Sequence, residues 1–445
     1  MKIEFVSGPV LPNTSPIAYV VDQETLPAGV EAVVAEGAKV SRFAGKTGQL
    51  HEAFVNRDGV VVRMALVGAG EPGSKDRTAA LERAGAAITA KYLASGETAL
   101  TIDFSGTRLT GRDVAAVLLG ARLRGWRHDI YRTKLPEEQK PSLATIKVAG
   151  APEGSIAAWA TEAALADGVE LTRELVTEPA NIIYPESFVE RATARLESAG
   201  LKVRVLDEKD MAKLGMGALL GVAQGSVRPA RLLVMEWNGG ADADRPVAFV
   251  GKGVTFDTGG ISLKPADKMD RMKDDMSGGA AVIGAMTAIA RLGAPVRVTA
   301  VIASAENMPG GRALKPGDVI TSAEGKTVEV INTDAEGRLV LGDALWYARQ
   351  QKVTHLVDVA TLTGGCVVAL GLGTAGLFGT PLAWRDEVLR ASERAGDRSW
   401  PMPDFDDYMD QLKSDIADFT NQGTRWGSAS VGAVFVKEFT GGLPW

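Results

Sequence analysis

Acidic residues are grouped behind predicted strands in the second half of the chain, in glycine-rich surroundings. The segment GKGVTFDTGGISLKP carries Asp257 after an apolar run, and NTDAEGRLVLGDAL carries Asp334 and Glu336. A spacing of two predicts that Asp334 and Glu336 lie on the same side of an extended segment. Open α/β sheets bind their ligands at the carboxyl ends of strands. Carboxylates gathered there repel one another unless cations neutralise them, so the pattern predicts a metal site.

Further charged residues flank these carboxylates. Lys252 and Lys264 lie in the same segment as Asp257, and Asp274 and Asp275 stand at the start of the apolar helix predicted in MKDDMSGGAAVIGAM. Each of them also has a structural interpretation, because an aspartate can cap a helix or a turn and a lysine can be a solvated surface charge. Taken together, their concentration near strand ends favours metal chemistry.

The residues that other hydrolases and nucleotide-binding proteins use are absent or badly spaced. The three histidines, His51, His128 and His355, form no HExxH pattern, so a structural or exposed position is expected for each. Cys366 lies in an apolar segment, and no serine stands in a GxSxG motif. Both GKT triplets lack the upstream glycine of a phosphate-binding loop. Carboxylates are therefore the predicted catalytic chemistry.

Three strings together carry a family resemblance. NTDAEGRL at 332–339, with GKGVTFDTGGISLKP at 251–265 before it and DVATLTG at 358–364 after it, resembles the leucyl aminopeptidase family of two-metal cytosolic exopeptidases. TEPAN at 177–181 is similar to that family's NEPAN, with Thr177 in place of the asparagine. The resemblance is close over about residues 170 to 425. It implies a metal-dependent aminopeptidase that removes the N-terminal residue of peptides, with leucine and other apolar residues preferred.

The resemblance also implies two divalent metal ions and assigns their ligands. These are Lys252, Asp257, Asp275, Asp334 and Glu336, with Asp257 and Glu336 bridging the ions. Asp275 is preferred to Asp274 because the family's ligand directly precedes the Met-Ser/Gly segment. Four carboxylates balance two dications if Lys252 binds as a neutral amine, which requires a lowered pKa. Oxygen-rich ligation suits Mn²⁺ or Mg²⁺, and Zn²⁺ is also compatible.

Two cations and a substrate cleft follow from the same resemblance. Lys264 would polarise the scissile carbonyl, and Arg338 would hold a bicarbonate ion that acts as the general base. The alternative for Arg338 is an ion pair with a carboxylate of the metal site. The positions that match the family's substrate contacts are Met272, Asn332, Thr361 and Gly364. Met272 could equally be a packing residue.

Two stretches depart from the family pattern. Residues 420–435 read TNQGTRWGSASVGAVF, so Trp426, Ser428 and Ser430 are expected to alter one wall of the cleft. The sequence ends at GLPW, where the family continues with an Ala-His-Leu-Asp segment. This difference predicts a truncated C-terminus and an incomplete specificity pocket.

Alternating apolar and helical patterns predict two α/β domains. Residues 1–152 are expected to form a smaller α/β domain with a largely parallel sheet, and residues 153–177 a connecting helix. The larger catalytic domain, residues 178–445, is expected to hold a central mixed sheet flanked by helices. The uncharged stretch from Val359 to Trp384 is interpreted as a buried strand followed by a glycine-rich loop, because its glycines and threonines make a poor lipid-facing helix.

Composition limits the partners and the compartment. The 445 residues carry 49 Lys and Arg against 55 Asp and Glu, a net charge of −6, so no overall field attracts nucleic acid or an anionic membrane. One cysteine permits no intrachain disulfide, and Glu4, Pro9 and Pro12 interrupt any signal-peptide core. A cytoplasmic protein is therefore expected, and the family resemblance implies a homohexamer.

Two other functions stay open. Some members of the family bind DNA through their N-terminal domain, and Arg122, Arg124, Arg127 and Arg132 form a small basic cluster in this chain. The net charge disfavours that function, and the cluster could equally be a solvated helix end. The third hypothesis is a metal-binding pseudoenzyme that the missing C-terminus leaves inactive.

Overall fold

The computed structural model describes residues 1–8, 10–11, 14–26, 30–240 and 246–445. Its chain forms two compact units, Met1–Glu170 and Leu171–Trp445, and the division falls inside a helix, Ser155–Thr177. That helix is the one expected between the two α/β regions. The domain boundaries placed after residues 152 and 177 stay a prediction. None of the described helices is both long and apolar enough to span a bilayer.

The first unit contains a six-stranded sheet with helices packed against it. Its elements are β1 (Lys2–Phe5), β2 (Ile17–Val21), α1 (Ala32–Val40), β3 (Leu50–Arg57), β4 (Val60–Gly68), α2 (Arg77–Tyr92), β5 (Ala99–Asp103), α3 (Gly111–Gly125), a 3₁₀ turn (Glu137–Gln139), β6 (Thr145–Ala149) and the first part of α4 (Ser155–Thr177). The strand order is β1-β6-β5-β2-β4-β3, and β3 alone of these strands is antiparallel to its neighbour. The largely parallel sheet is confirmed.

Local sequence signals account for these elements. Strand β4 reads VVVRMALVG and buries the consecutive residues 64–67, whose side chains alternate between the two faces, as expected for a strand in a sheet covered on both faces. Helix α3 begins at a capping box, in which Thr110 and Asp113 satisfy each other's backbone N–H groups. The helices that alternate with the strands in the sequence are therefore the elements that cover the sheet.

The second unit is built on a five-stranded mixed sheet of order β13-β9-β10-β8-β7. After the end of α4, its elements are α5 (Pro185–Ser198), β7 (Lys202–Leu206), α6 (Glu208–Lys213), α7 (Gly217–Ala223), β8 (Arg231–Asn238), β9 (Val247–Asp257), a 3₁₀ helix (Met269–Asp274), α8 (Ser277–Arg291), β10 (Arg297–Asn307), β11 (Asp318–Thr321), β12 (Thr327–Val330), α9 (Gly337–Arg349), β13 (His355–Val359), α10 (Gly364–Leu370), β14 (Ala375–Leu377), α11 (Leu382–Ala395), β15 (Ser399–Pro401), a 3₁₀ helix (Asp406–Leu412), β16 (Phe419–Thr420) and α12 (Ser428–Lys437). Strands β13, β9 and β10 are parallel to one another, and β8 is antiparallel to both of its neighbours, β10 and β7, so β8 alone runs against the other strands of this sheet. The mixed sheet is confirmed.

The stretch from Val359 to Trp384 differs from its prediction in two ways. Strand β13 lies at the edge of the sheet and buries only Leu356, because β9 is its single strand neighbour among the described residues. Residues 364–370 form helix α10 where a loop was predicted. The segment GGCVVAL contains no proline, and the helix ends at Gly371, whose positive φ of 76° suits glycine.

Candidate active site

Several connections of the second unit bring the predicted site residues to a cavity of about 1000 Å³. The contributing elements are β9 and the loop after it, the junction before α8, the β12–α9 connection and the residues after β13. All eleven predicted site residues line the cavity: Lys252, Asp257, Lys264, Met272, Asp275, Asn332, Asp334, Glu336, Arg338, Thr361 and Gly364. The sequence therefore selected residues that the fold places together.

Lys252 lies inside strand β9, and it is only 2% exposed. Its Nζ donates to a carboxylate oxygen of Asp275 at 2.8 Å and to the carbonyl of Thr361 at 3.1 Å. The same Nζ lies 2.8 Å from Oε1 of Glu336. The interpretation of Lys252 as a solvated surface charge is therefore wrong.

A second group of donors forms around Asp257, at the end of β9. Asp257, Asp334 and Glu336 each place one carboxylate oxygen within 4.8 Å of the others. Lys264 Nζ lies 2.8 Å from Oδ2 of Asp257 and 2.5 Å from Oδ1 of Asp334, so Lys264 is not a free surface charge either. Asp257 and Glu336 thus stand between two sets of neighbours, with Lys252 and Asp275 in one set and Asp334 in the other.

Asp334 and Glu336 converge on the cavity, although the extended geometry predicted for them is wrong. The Asp334 N–H donates to Oδ1 of Asn332 at 2.9 Å, which forms a turn, and Glu336 already has helical backbone angles at the start of α9. Gly337 follows, and a Cβ there would lie 2.9 Å from Nζ of Lys252. A glycine is therefore needed for this helix start to approach the lysine.

Glu336 supplies the clearest sign that the donor set fits metal ions. Its side chain is buried, and its Oε2 has no hydrogen-bond partner. An unpartnered oxygen of a buried carboxylate is costly, and a bound cation removes that cost. One amine nitrogen and several carboxylate oxygens suit Mn²⁺, Mg²⁺ or Zn²⁺. The residues present therefore fit divalent cations.

The pKa shifts in this cluster reflect burial with too few cations. Burial raises the pKa of Glu336 to about 8 although Lys252 opposes the shift. Burial also raises the pKa of Asp275 to about 6, and it is the main cause of the raised pKa of Asp334. Burial alone would lower the pKa of Lys252, but Asp275 and Glu336 outweigh it and raise that pKa. Divalent ions would act in the opposite direction on each group, favouring the carboxylates and the neutral amine.

Arg338, in the first turn of α9, contributes a buried cation to the cavity wall. Its Nη1 donates to the carbonyl of Asn421 at 2.8 Å, and its guanidinium lies 5.9 Å from the centre of the Phe435 ring. Within the described part of the chain it forms no ion pair, so the alternative of a carboxylate partner is wrong. Burial lowers the pKa of Arg338 to about 10.

Two buried asparagines that the sequence analysis missed hold the site together. Asn307 Nδ2 donates to Oδ1 of Asp257 at 2.8 Å and to the carbonyl of Thr333 at 2.9 Å. Asn421 Nδ2 donates to the carbonyl of Asn332 at 2.6 Å. Both asparagines lie at or just after the end of a strand, the same signal that identified the carboxylates.

Two of the predicted substrate contacts also serve the site internally. Asn332 uses its Oδ1 for the N–H of Asp334, and its Nδ2 donates to Oε1 of Gln422. Thr361 Oγ1 donates to Oδ1 of Asp275 at 2.7 Å. Met272 is half-buried and Gly364 is exposed at the cavity wall. Contact between these four residues and a substrate stays a prediction.

The departure from the family pattern after residue 420 affects the cavity at one of the three named positions. Ser428 lines the cavity, as expected. Trp426 is 68% exposed and Ser430 is buried, and neither side chain lines the cavity. Of these three positions, Ser428 is therefore the one that contributes to the cavity wall.

Comparisons with known proteins agree with this site. The model of the cytosol aminopeptidase family's catalytic domain matches residues 170–445, and the model of that family's N-terminal domain matches residues 14–135. The "Probable cytosol aminopeptidase" of Chelativorans sp. (strain BNC1) is 45% identical over 423 residues, 94% of this chain and 84% of the relative. The protein of the same name from Brucella melitensis biotype 1 (strain ATCC 23456 / CCUG 17765 / NCTC 10094 / 16M) is 46% identical over 421 residues, 94% and 86% of the two chains.

A solved structure shows the same fold. The "Bottromycin maturation enzyme BotP in complex with Mn" matches with a TM-score of 0.85 and 34% identity, over 97% of this chain and 91% of that one. A mixed α/β fold that gathers carboxylates and a lysine around one cavity defines a metallohydrolase. The chain belongs to the cytosol aminopeptidase family, a family of metal-dependent peptidases.

Proposed function

We propose that this protein is a two-metal aminopeptidase that hydrolyses the N-terminal residue of peptides, with leucine and other apolar residues preferred. The observation that carries the proposal is the unpartnered Oε2 of buried Glu336 beside Asp257, Asp275 and Lys252. Burying that oxygen without a donor costs free energy that a bound cation would recover. Here the oxygen faces a cluster in which carboxylates outnumber cations, and two divalent ions would balance it.

The overlapping contacts support one division of the ligands. Lys252 and Asp275 would bind one ion, Asp334 would bind the other, and Asp257 and Glu336 would bind both. When bound, the ions would polarise the scissile carbonyl and lower the pKa of the attacking water. Mn²⁺, Zn²⁺ and Mg²⁺ all suit these donors, and the BotP structure is described as a complex with Mn.

Two cations of this chain would act on the reaction directly. Lys264 now contacts Asp257 and Asp334, and once these bind metal its ammonium would stabilise negative charge on the carbonyl oxygen. Arg338 has no carboxylate partner in the described residues, which leaves its charge available for a small anion. We propose that this anion is bicarbonate and that it accepts the proton of the attacking water. Met272, Asn332, Thr361 and Gly364 would contact the peptide.

Assembly, compartment and DNA binding belong to the proposal as well. We propose a cytoplasmic homohexamer that acts on peptides. DNA binding is the weaker candidate, because Arg122 pairs with Asp167 and Glu170. Arg127 and Arg132 of the same basic cluster both pair with Asp129. Arginines that are already paired would have to exchange partners to bind phosphate.

The experiment is the hydrolysis of leucyl-anilide and N-acetyl-leucyl-anilide by protein treated with a chelator, with Mn²⁺, Zn²⁺ or Mg²⁺ added back. We expect cleavage of the free amine only, and only with metal. Glutamyl-anilide, run in parallel, tests the apolar preference. Bicarbonate omitted from the buffer should lower kcat. Two ions bound in calorimetry without any cleavage would contradict the proposal and favour the pseudoenzyme hypothesis.

A further inference from the structure

An exposed cation, Arg425, lies on the loop between β16 and α12 and lines the same cavity as the metal-site residues. Its guanidinium carbon lies 4.2 Å from the centre of the Trp426 ring. No carboxylate pairs with Arg425 in the part of the chain that the structure describes. Arg385, another cation of the cavity wall, is already paired with Asp386 at 2.7 Å. Arg425 is therefore an exposed cation of this cavity that is available to a ligand.

The loop that carries Arg425 is held on both sides. At its start, Asn421 donates to the carbonyl of Asn332 at 2.6 Å, and Gln422 accepts from the Asn332 side chain. Further on, the N–H and Oγ1 of Thr424 donate to Oε1 of Gln411 at 3.1 and 2.8 Å. Three residues span at most roughly 10 Å, so the backbone of Arg425 lies within about 10 Å of Gln422. Gln422 in turn contacts Asn332, which forms the turn before Asp334.

The charge of the cavity favours an anionic ligand once metal is bound. Its lining contains seven carboxylates, namely Asp257, Asp274, Asp275, Asp334, Glu336, Asp358 and Asp397. It contains five cationic side chains, namely Lys252, Lys264, Arg338, Arg385 and Arg425. Lys252 would be neutral once it binds metal, so the seven carboxylates face four cationic side chains and the four positive charges of two divalent ions, an excess of one positive charge before any anion binds. The loaded cavity is therefore positive, which attracts negatively charged substrates.

We propose that Arg425 determines substrate specificity by binding a carboxylate on the C-terminal side of the scissile bond. This inference rests on the proposed aminopeptidase function. A guanidinium matches the geometry of a carboxylate and can donate two parallel hydrogen bonds to it. In a di- or tripeptide the α-carboxylate lies within roughly 10 Å of the free amine, and Arg425 lines the same cavity as the metal-site residues, so we expect such peptides to contact both. An acidic side chain would supply the same group.

The test compares kcat and KM for Leu-Ala, Leu-Ala-amide and Leu-Asp-amide. The enzymes are the Mn²⁺-loaded wild type, Arg425→Gln and Arg425→Lys. Arg312→Gln is the matched control, since Arg312 is exposed and does not line the cavity. We expect the wild type to prefer Leu-Ala over its amide by about fivefold, the scale of an exposed ion pair. Arg425→Gln should abolish this preference by raising KM for the free acid, with kcat unchanged.

The control variants and the third substrate show which carboxylate of the peptide binds Arg425 and which results overturn the inference. Arg425→Lys should retain part of the preference for Leu-Ala over its amide, and Arg312→Gln should retain all of it. Added salt should reduce this preference in the wild type. Preference for Leu-Asp-amide that Arg425→Gln removes assigns the carboxylate to a side chain. Equal losses on acid and amide would mean that Arg425 only supports the loop, and would overturn the inference, as would a wild type without preference. A wild type that cleaves none of the peptides would refute the aminopeptidase function itself.

Discussion

The two units of the protein use clusters of charged residues in opposite ways. In the first unit, Glu52 accepts hydrogen bonds from Arg63 Nε at 2.7 Å and from the Tyr92 hydroxyl at 3.0 Å, and Lys91 lies 2.9 Å from its other oxygen. Burial alone would raise the pKa of Glu52, but these hydrogen bonds outweigh it and the pKa is lowered. Every oxygen of this carboxylate has a partner.

In the second unit, Glu336 has Lys252 on one oxygen and no partner on the other, and burial raises its pKa to about 8. The two carboxylates therefore differ in the number of donors around them and not in residue type. A cluster whose charges are matched stabilises the fold. A cluster with surplus carboxylates is arranged for cations from solution.

The largest expected effect comes from Glu336→Gln. Loss of this proposed ligand should lower kcat/KM by about 10³-fold or more and reduce the number of bound Mn²⁺ ions. The thermal midpoint of the metal-free protein at pH 7 should change little, because burial raises the pKa of Glu336 to about 8 and the side chain is then already largely uncharged. Activity assays, metal analysis and calorimetry check this. Glu387→Gln, on the exposed side of α11, is the control. If Glu336→Gln keeps its metal and its activity, the contrast between the Glu52 and Glu336 clusters is refuted.

Asp343 extends the comparison to a buried carboxylate paired only with backbone groups. It accepts from the N–H groups of Leu219 and Ala323 at 2.8 Å each. Burial raises its pKa from 3.8 to about 7 although these hydrogen bonds oppose the shift. The folded form therefore keeps a proton between about pH 4 and 7 that the unfolded chain has lost. Stability falls as pH rises through this window.

The free energy of unfolding should accordingly drop by about 2 kcal/mol between pH 5 and pH 8 through Asp343. Urea unfolding of the wild type and of Asp343→Asn over this range measures the contribution as a difference between two pH profiles. The variant should be less stable than the wild type at pH 5 and should show a shallower profile. Parallel profiles would mean that Asp343 does not carry the proton.

Asn307→Ala tests whether neutral hydrogen bonds in the second unit serve metal binding. The substitution removes one of two donors to Oδ1 of Asp257, leaving the Gly259 N–H, and it also removes the link to the Thr333 carbonyl. Mn²⁺ affinity should fall about 10- to 100-fold, as is typical when a residue that orients a ligand is lost. Calorimetric titration measures the affinity, with Asn238→Ala, an exposed site at the end of β8, as the control. Unchanged affinity with a lower melting temperature would assign Asn307 to the fold alone.

Glu52→Gln should give the smallest effect, and on stability alone. The partners Arg63 and Lys91 keep some exposure to solvent, so the loss of charge should cost about 1 kcal/mol in the free energy of unfolding. Metal affinity and kcat/KM should equal those of the wild type. Denaturant unfolding and the anilide assay check both statements. A change in metal affinity would break the distinction between a matched and an unmatched cluster.

Sequence patterns predicted the positions of strands, helices and charged residues better than they predicted the burial and local conformation of individual site residues. The apolar run before Asp257 predicted β9, but it did not show that Lys252 is buried within that strand. The spacing of Asp334 and Glu336 suggested an extended segment, whereas the Asn332 side chain forms a turn and helix α9 begins at once. Local turn hydrogen bonds override periodicity over such short stretches.

The sequence by itself determined which donors are present, that they follow strands, and that no histidine or cysteine cluster competes with them. Only the tertiary structure decided which donors meet. Lys252 contacts Asp275 and the carbonyl of Thr361 across 23 and 109 positions of the chain, and no local period encodes such distances. Packing also decided that one oxygen of Glu336 is buried without a partner. Desolvation depends on everything that surrounds a side chain, so a sequence can name an acidic residue but only the fold makes it a metal ligand.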